Sequence, residues 1–239
     1  MKKVGWIFIL ASVLLAFTAG PLFAAQKPVL GVVEFRNNTS AGWWSGSVGR
    51  ELADMLTNEL MSGGQFKCVE RQKLQAVLRE QDLGASGRVR QSTAAKVGQM
   101  TGAQYLVTGT VSAFEGKTEG TGGGLRIAGF SLGGKKEKAY VAIDLRVVNS
   151  TTGEIEYART VEGKASSGGM SVGAHYWIVG GHLSQYKKTP VGKAIRACLI
   201  ESVEYLECVM VFQDGCEEEY RGKEQRRRDK TKRSISLDE

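Results

Sequence analysis

The chain has 239 residues, 42% of them hydrophobic, with 32 basic against 25 acidic side chains and a formal net charge of +7. That length holds one well-buried core with insertions but hardly two full domains, so one domain is expected. No apolar run of spanning length follows the first 25 residues, which excludes a helical membrane protein.

In chain order, Met1-Lys2-Lys3, an apolar run from Val4 to Ala19, Pro21 and the small pair Ala24-Ala25 form the charged, apolar and cleavage regions of an export signal, residues 1–25. Neither cut has the ideal small residue two places earlier, so an uncleaved anchor is the alternative. Cleavage is favoured because the run is shorter than the ~20 residues of a spanning helix. Loss of Lys2 and Lys3 leaves the mature chain at about +5.

VLGVVEF, from Val29, reads as a buried strand, and after the polar loop RNNTSAGWW the apolar residues Val48, Leu52, Met55, Leu56 and Leu60 recur at helical spacing. Ser45 or Ser47 serves as N-cap and Gly63-Gly64 as the stop. QFKCVE gives a second strand, RQKLQAVLREQ a second helix through Leu74, Val77 and Leu78, and Ser92 to Met100 a third. Gln104 to Phe114 is a strand leading into a first hairpin. There the stretch from Lys135 alternates cleanly, with Ala139, Val141, Ile143, Leu145 and Val147 on one face. Gly133-Gly134 supplies the tight tip, so the arms are Gly124 to Leu132 and Lys135 to Ile143. Each matches the ~9–11 residues of a tilted barrel strand.

The turn TTG, Thr151 to Gly153, returns the chain as the strand EIEYARTVEG, which leads into a second glycine-flanked hairpin beginning at Ser166. A long helix beginning just after Pro190 lines one face with Val191, Ile195, Cys198, Leu199, Val203, Leu206 and Val209. The predicted class is α+β, in the order βαβααβ, hairpin, ββ, hairpin, α, with one domain over residues 26–216. From Glu217 the tail carries eight basic and seven acidic residues and reads as a solvated, disordered segment, 217–239, dispensable for folding.

Both hairpins grow from core strands and share one end of the sheet. Isolated in water they would expose unpaired edges, so identical hairpins from other copies are expected to close them. Chemistry is sparse elsewhere. Cys68, Cys198, Cys208 and Cys216 lack metal-ligand spacing, and Cys198 and Cys208 sit about 15 Å apart on one helix and cannot bond. A Cys208–Cys216 bridge and buried free thiols are both open. His175 and His182 are too few for a metal site, and the glycine string at Thr121 is followed by no GK[ST]. No catalytic residue, metal or cofactor is assigned, an enzyme is not expected, and nucleic acid is not an expected partner of an exported chain.

The run VVEF, the segment ADMLTNELMSGGQFKCVERQKLQAVLREQ, the strand GAQYLVTGTVSAFEG and above all DLRVVNSTTGEI resemble the CsgG family, the curli production assembly/transport component, from about Val29 to about Phe212. The resemblance implies a periplasmic α/β domain whose copies form a ring, each giving two hairpins to one outer-membrane β-barrel. It implies export of unfolded polypeptide such as a fibre subunit, with accessory assembly proteins as further partners. Carried over by position, the membrane hairpins are 122–142 and 166–188, with Leu125, Ile127, Ala139 and Val141 in the first and Met170, Val172, Tyr176 and Trp177 in the second. Trp43 and Trp44 fall at the channel constriction. Glu70-Arg71 with Leu74 matches a strand-to-helix corner of structural role. Curli channels are lipoproteins acylated at a cysteine after the signal, whereas the first cysteine here is Cys68. That departure makes a soluble periplasmic assembly or binding module the alternative expectation.

Overall fold

The structure, a computed structural model, describes residues 26–120, 126–127, 130–131, 135–167 and 188–234, with side chains described outside 117–136. The expected export signal, residues 1–25, lies outside the described residues. In order come β1 Val29–Val32, β2 Arg36–Asn37, α1 Val48–Gly63, β3 Lys67–Cys68, α2 Leu74–Ala85, β4 Tyr105–Gly120, β5 Arg126–Ile127, β6 Phe130–Ser131, β7 Lys135–Asn149, β8 Ile155–Ser166, α3 Pro190–Glu207, a π-helical turn Cys208–Phe212 and α4 Cys216–Ser234. The main sheet runs β3-β1-β4-β7-β8, with β2 also on β4. Its β3-β1-β4 half is parallel and its β4-β7-β8 half antiparallel.

Apolar periodicity explains the core. Leu30, Val32, Val107, Val111, Ile143, Leu145, Val147 and Val161 occupy alternate strand positions and are buried together with Leu52, Leu56 and Leu60 of α1 and Ile195, Leu199 and Leu206 of α3. Each such side chain contributes about 1.5–3 kcal/mol by leaving water. Thr189 caps α3, its hydroxyl accepting from the Gly192 N–H at 3.3 Å, and Pro190 occupies the first turn, where no N–H is needed. Glu70 holds the turn just before α2, one carboxylate oxygen accepting from the N–H groups of Gln72 and Lys73 at 2.7 and 3.0 Å. The expected corner is therefore structural. Where α3 crosses β8, the Ala194 carbonyl lies so close to Gly163 that any Cβ would overlap it. Only glycine lets helix and strand meet there.

Three expectations are corrected. Ser92 to Met100 forms turns, not a third helix. Gly98 takes a φ of 78° in its middle, and Val97 and Met100 stay 65% and 43% exposed, so no buried stripe offsets the cost of helix nucleation. The first hairpin also pairs differently. Lys135 lies opposite Gly120, and the strand from Lys135 continues against β4, while Ile127 pairs with Phe130 in a small separate hairpin. The apolar β4 found a longer partner than the weakly alternating 124–132 segment offered.

The third correction concerns the tail, which is the helix α4 as far as Ser234. Its mixed charges are spaced for a helix: Glu219 pairs with Lys223 at 3.0 Å, and Glu224 with Arg227 and Arg228 at 2.7 and 2.8 Å. Acidic residues fill the first turn and Lys232 and Arg233 the last, matching the helix dipole. A disulfide between Cys208 and Cys216 ties its start to the π-turn, and Tyr220 is buried. Truncation after Cys216 is therefore expected to destabilise the domain by about 2–3 kcal/mol, since it removes a buried aromatic. That is a fall of roughly 5–10 °C in Tm for a chain of this size. An unchanged melting curve would show that α4 adds nothing to the fold.

Candidate functional site

The end of the sheet where both hairpins are expected is built by strands that stay paired to their limits. β4 and β7 pair from Tyr105 opposite Asn149 to Gly120 opposite Lys135, and β7 and β8 as far as Lys138 opposite Ser166. Ser167 locks that edge: its N–H donates to the Glu137 carbonyl at 2.8 Å and its hydroxyl accepts from the Glu137 N–H at 2.9 Å. The strand ends at Gly120, Lys135 and Ser166, which flank segments 121–134 and 168–187 in sequence, therefore stand side by side at one end of the sheet.

Of the residues assigned to membrane hairpins, Leu125, Met170, Val172, Tyr176 and Trp177 lie outside the described residues, as do His175 and His182. Ile127 is in β5, its side chain outside the described set. Ala139 and Val141 are corrected. They are 5% and 0% exposed in the core with α3 packed across β7, and the Cys198 thiol donates to the Val141 carbonyl at 3.4 Å. Their clean alternation served the domain's own core, because a helix rather than lipid covers that face. On the opposite face Tyr140 sits 5.4 Å from the Lys164 ammonium, and burial followed by the Glu162 carboxylate pushes its hydroxyl up to about 12.

The tryptophan loop is held by its own polar groups. The Asn37 carboxamide oxygen accepts from the N–H and hydroxyl of Thr39, whose hydroxyl in turn accepts from the Ala41 N–H. Trp44 then closes a turn onto the Ala41 carbonyl at 3.0 Å. Trp43 is only 2% exposed, edge-on to Phe114 at 5.9 Å and to Trp44 at 5.7 Å. It belongs to the domain's core, not to an exposed loop: its indole packs beside β4, although its N–H has no partner among the described residues. Trp44 is half-buried on the edge of that cluster. The family resemblance put both rings at the constriction, and the fold keeps them in contact but buries Trp43 while leaving Trp44 half-buried.

Sequence reasoning missed a third feature, the groove of about 670 Å³ where α4 lies against β7 and β8, lined by Asp144, Arg146, Thr160, Tyr205, Tyr220 and Arg227 among others. Arg159 is its hub, donating to Glu201 at 3.1 Å and to the Tyr220 carbonyl at 3.0 Å, with its guanidinium 4.7 Å from the Tyr220 ring. The mixed charges of the tail at spacings of three and four were the available signal. Hydrogen bonds from Arg227, then Arg228, against opposing burial, hold the Glu224 carboxyl down to about 2. A depressed carboxyl stabilises above its ordinary range and loses that stabilisation as pH falls through its folded value. Helicity of α4 should accordingly weaken between about pH 4.5 and 2 and be insensitive to pH above 5, read by far-UV circular dichroism. Glu224→Gln should remove that acid step, and an unchanged step would reassign it.

Neither free thiol among the described residues is activated as a nucleophile. Burial pushes the Cys68 thiol up to about 11 and the Cys198 thiol higher still, so neither is a thiolate near neutral pH. Among the described residues no three His, Cys, Asp or Glu side chains group as metal ligands, and no helix is long and apolar enough to cross a membrane.

A family profile described as "Curli production assembly/transport component CsgG" matches residues 11–235. A putative lipoprotein of Neisseria meningitidis serogroup B is 29% identical over 160 residues, 66% of this chain and 63% of that protein. The curli production assembly/transport component CsgG of Escherichia coli K12 is 29% identical over 116 residues, 47% of this chain and 42% of that protein. The match thus spans less than two thirds of either relative. Among solved structures, a hypothetical protein from Chlamydia trachomatis aligns with a TM-score of 0.44 at 14% identity, covering 77% of this chain and 97% of that one. The PelC dodecamer from Paraburkholderia phytofirmans aligns with a TM-score of 0.35 at 15% identity, covering 77% and 91%.

Proposed function

Because the chain belongs to the CsgG family of curli production assembly/transport components, we propose that it is a non-enzymatic, homo-oligomeric channel of the bacterial outer membrane that passes unfolded polypeptide, such as a fibre subunit. The observation that supports this reading is the placing of Gly120, Lys135 and Ser166, the strand ends that flank segments 121–134 and 168–187 in sequence, side by side at one end of the sheet. Two chain segments of that length, offered side by side, suit a barrel closed by the same segments of neighbouring copies. The apolar and aromatic residues Leu125, Ile127, Met170, Val172, Tyr176 and Trp177 supply its lipid face and interfacial girdle. Trp44, half-buried beside the core, supplies the collar at the constriction. Accessory assembly proteins deliver the cargo from the periplasm.

A second reading, a soluble periplasmic assembly module, draws on Ala139 and Val141. With these residues committed to the core, the lipid-facing part of the first hairpin is shorter than its alternation promised. Envelope fractionation followed by sizing of the detergent extract separates the two. Outer-membrane rings that conduct in planar bilayers support the channel, and monomer in the wash fraction would end it in favour of the module.

A further inference from the structure

Seven large hydrophobic side chains are conspicuously exposed among the described residues, and six of them fall in two places: Val77, Leu83, Val97 and Met100 in one, Ile155 and Phe212 in the other. The first place follows β3, one edge of the sheet. Its segment from Arg71 to Gln104 carries six basic residues against two acidic ones. Arg79, Arg88, Arg90 and Lys96 are exposed and make no ion pair among the described residues. The α2 helix there fully buries only Gln81 and Gly84, with Leu74 and Leu78 half-buried and Val77 and Leu83 exposed.

The second place borders β8, the opposite edge. The segment from Glu201 to Glu219 holds seven acidic residues and no basic one, and Glu154 and Glu156 flank Ile155 beside it. Arg159 binds this segment to β8 through Glu201. The carboxylates crowd one another: burial, then Glu204, raises the Glu207 carboxyl, and Glu156 and Glu217 both bear on Tyr157. Both patches border the same end of the sheet. Gln104, four residues after Met100, accepts from the Ser150 N–H, and the Glu154 carbonyl accepts from the Asn149 N–H.

We propose that the basic, apolar flank beside β3 and the acidic, apolar flank beside β8 are the two sides of one head-to-tail interface between copies of this chain. A two-fold pairing would set like charge against like. Opposite sheet edges cannot meet within one chain, so the complementary partner of each patch is the other patch on the next copy. Apolar side chains at the centre supply the burial and the charges at the rim supply register. Such a contact is heterologous and closes into a ring when its rotation allows. The inference takes its ring closure from the channel reading and nothing from the membrane.

The test uses the full chain, extracted in detergent and sized across ionic strength. Arg79→Glu, Arg88→Glu and Arg90→Glu together reverse one patch, and Glu154→Lys, Glu204→Lys and Glu217→Lys together reverse the other. All six side chains are exposed, and thermal melts verify that each variant is folded. Each triple variant should self-associate at least about tenfold more weakly than the wild type. The chain carrying all six changes, and an equimolar mixture of the two triple variants, should recover assembly. Wild-type rings from either folded triple variant would overturn the interface and leave the channel reading standing. Monomeric wild-type chain would overturn both. Loss of binding to anionic phosphatidylglycerol vesicles by the basic-patch variant, with its assembly intact, would assign that patch to lipid and overturn the proposal.

Discussion

Val141→Arg is expected to unfold the domain, not to leave a folded domain that fails to insert. Val141 is fully buried, its strand covered by α3, with the Cys198 thiol on its own carbonyl. A guanidinium at that position would enter the apolar core beneath α3. An unpaired buried charge costs about 3–5 kcal/mol or more, before the added volume is counted. A domain of this size is stable by only about 5–15 kcal/mol, so most of its stability would go. The expected readout is loss of the cooperative melt and near absence of the protein from the envelope. Tyr140→Ser, on the opposite and half-buried face, should cost far less and remain folded. A Val141→Arg chain that melts like wild type but does not assemble would restore the lipid-facing assignment of this strand.

The two tryptophans should part company on truncation. Trp43→Ala empties an enclosed aromatic position packed on Phe114 and is expected to cost about 3–5 kcal/mol. The loss is moderated because the buried indole N–H has no partner among the described residues, a penalty of about 1–3 kcal/mol that the substitution relieves. Trp44→Ala should leave the melting temperature within a few degrees. In the proposed ring it should also raise single-channel conductance, which Trp43→Ala should not do in whatever fraction folds. Equal destabilisation by both changes, with conductance per ring unaltered, would make Trp44 a core residue and remove the collar.

The tail and the first hairpin teach the same lesson about composition. Mean charge and hydrophobicity of residues 217–239 describe a segment unable to bury itself, yet Tyr220 with the Cys208–Cys216 bridge anchors a helix whose charges pair along its own length. Composition averages over spacing, and spacing is what a helix reads. In the hairpin, alternation announced a strand at Lys135 to Val147 correctly, but alternation is blind to what lies against its apolar face. Lipid and a covering helix ask for the same side chains.

What the sequence determined by itself was every feature set by neighbours along the chain. The period of Val48 to Leu60 and of Val191 to Leu206 marked two core helices, the apolar runs at Val29 and Leu106 marked the central strands, and DLRVVNSTTGEI marked the turn and the family. Local sterics and periodic burial act within a few residues, so they are legible one window at a time. Tertiary structure alone decided which Trp is buried, that Lys135 faces Gly120, that α3 covers Val141, and that the basic and acidic flanks stand on opposite sheet edges. Each depends on which distant segments pack together, and that choice is made by the summed burial of the whole core, to which any single window contributes only a small part.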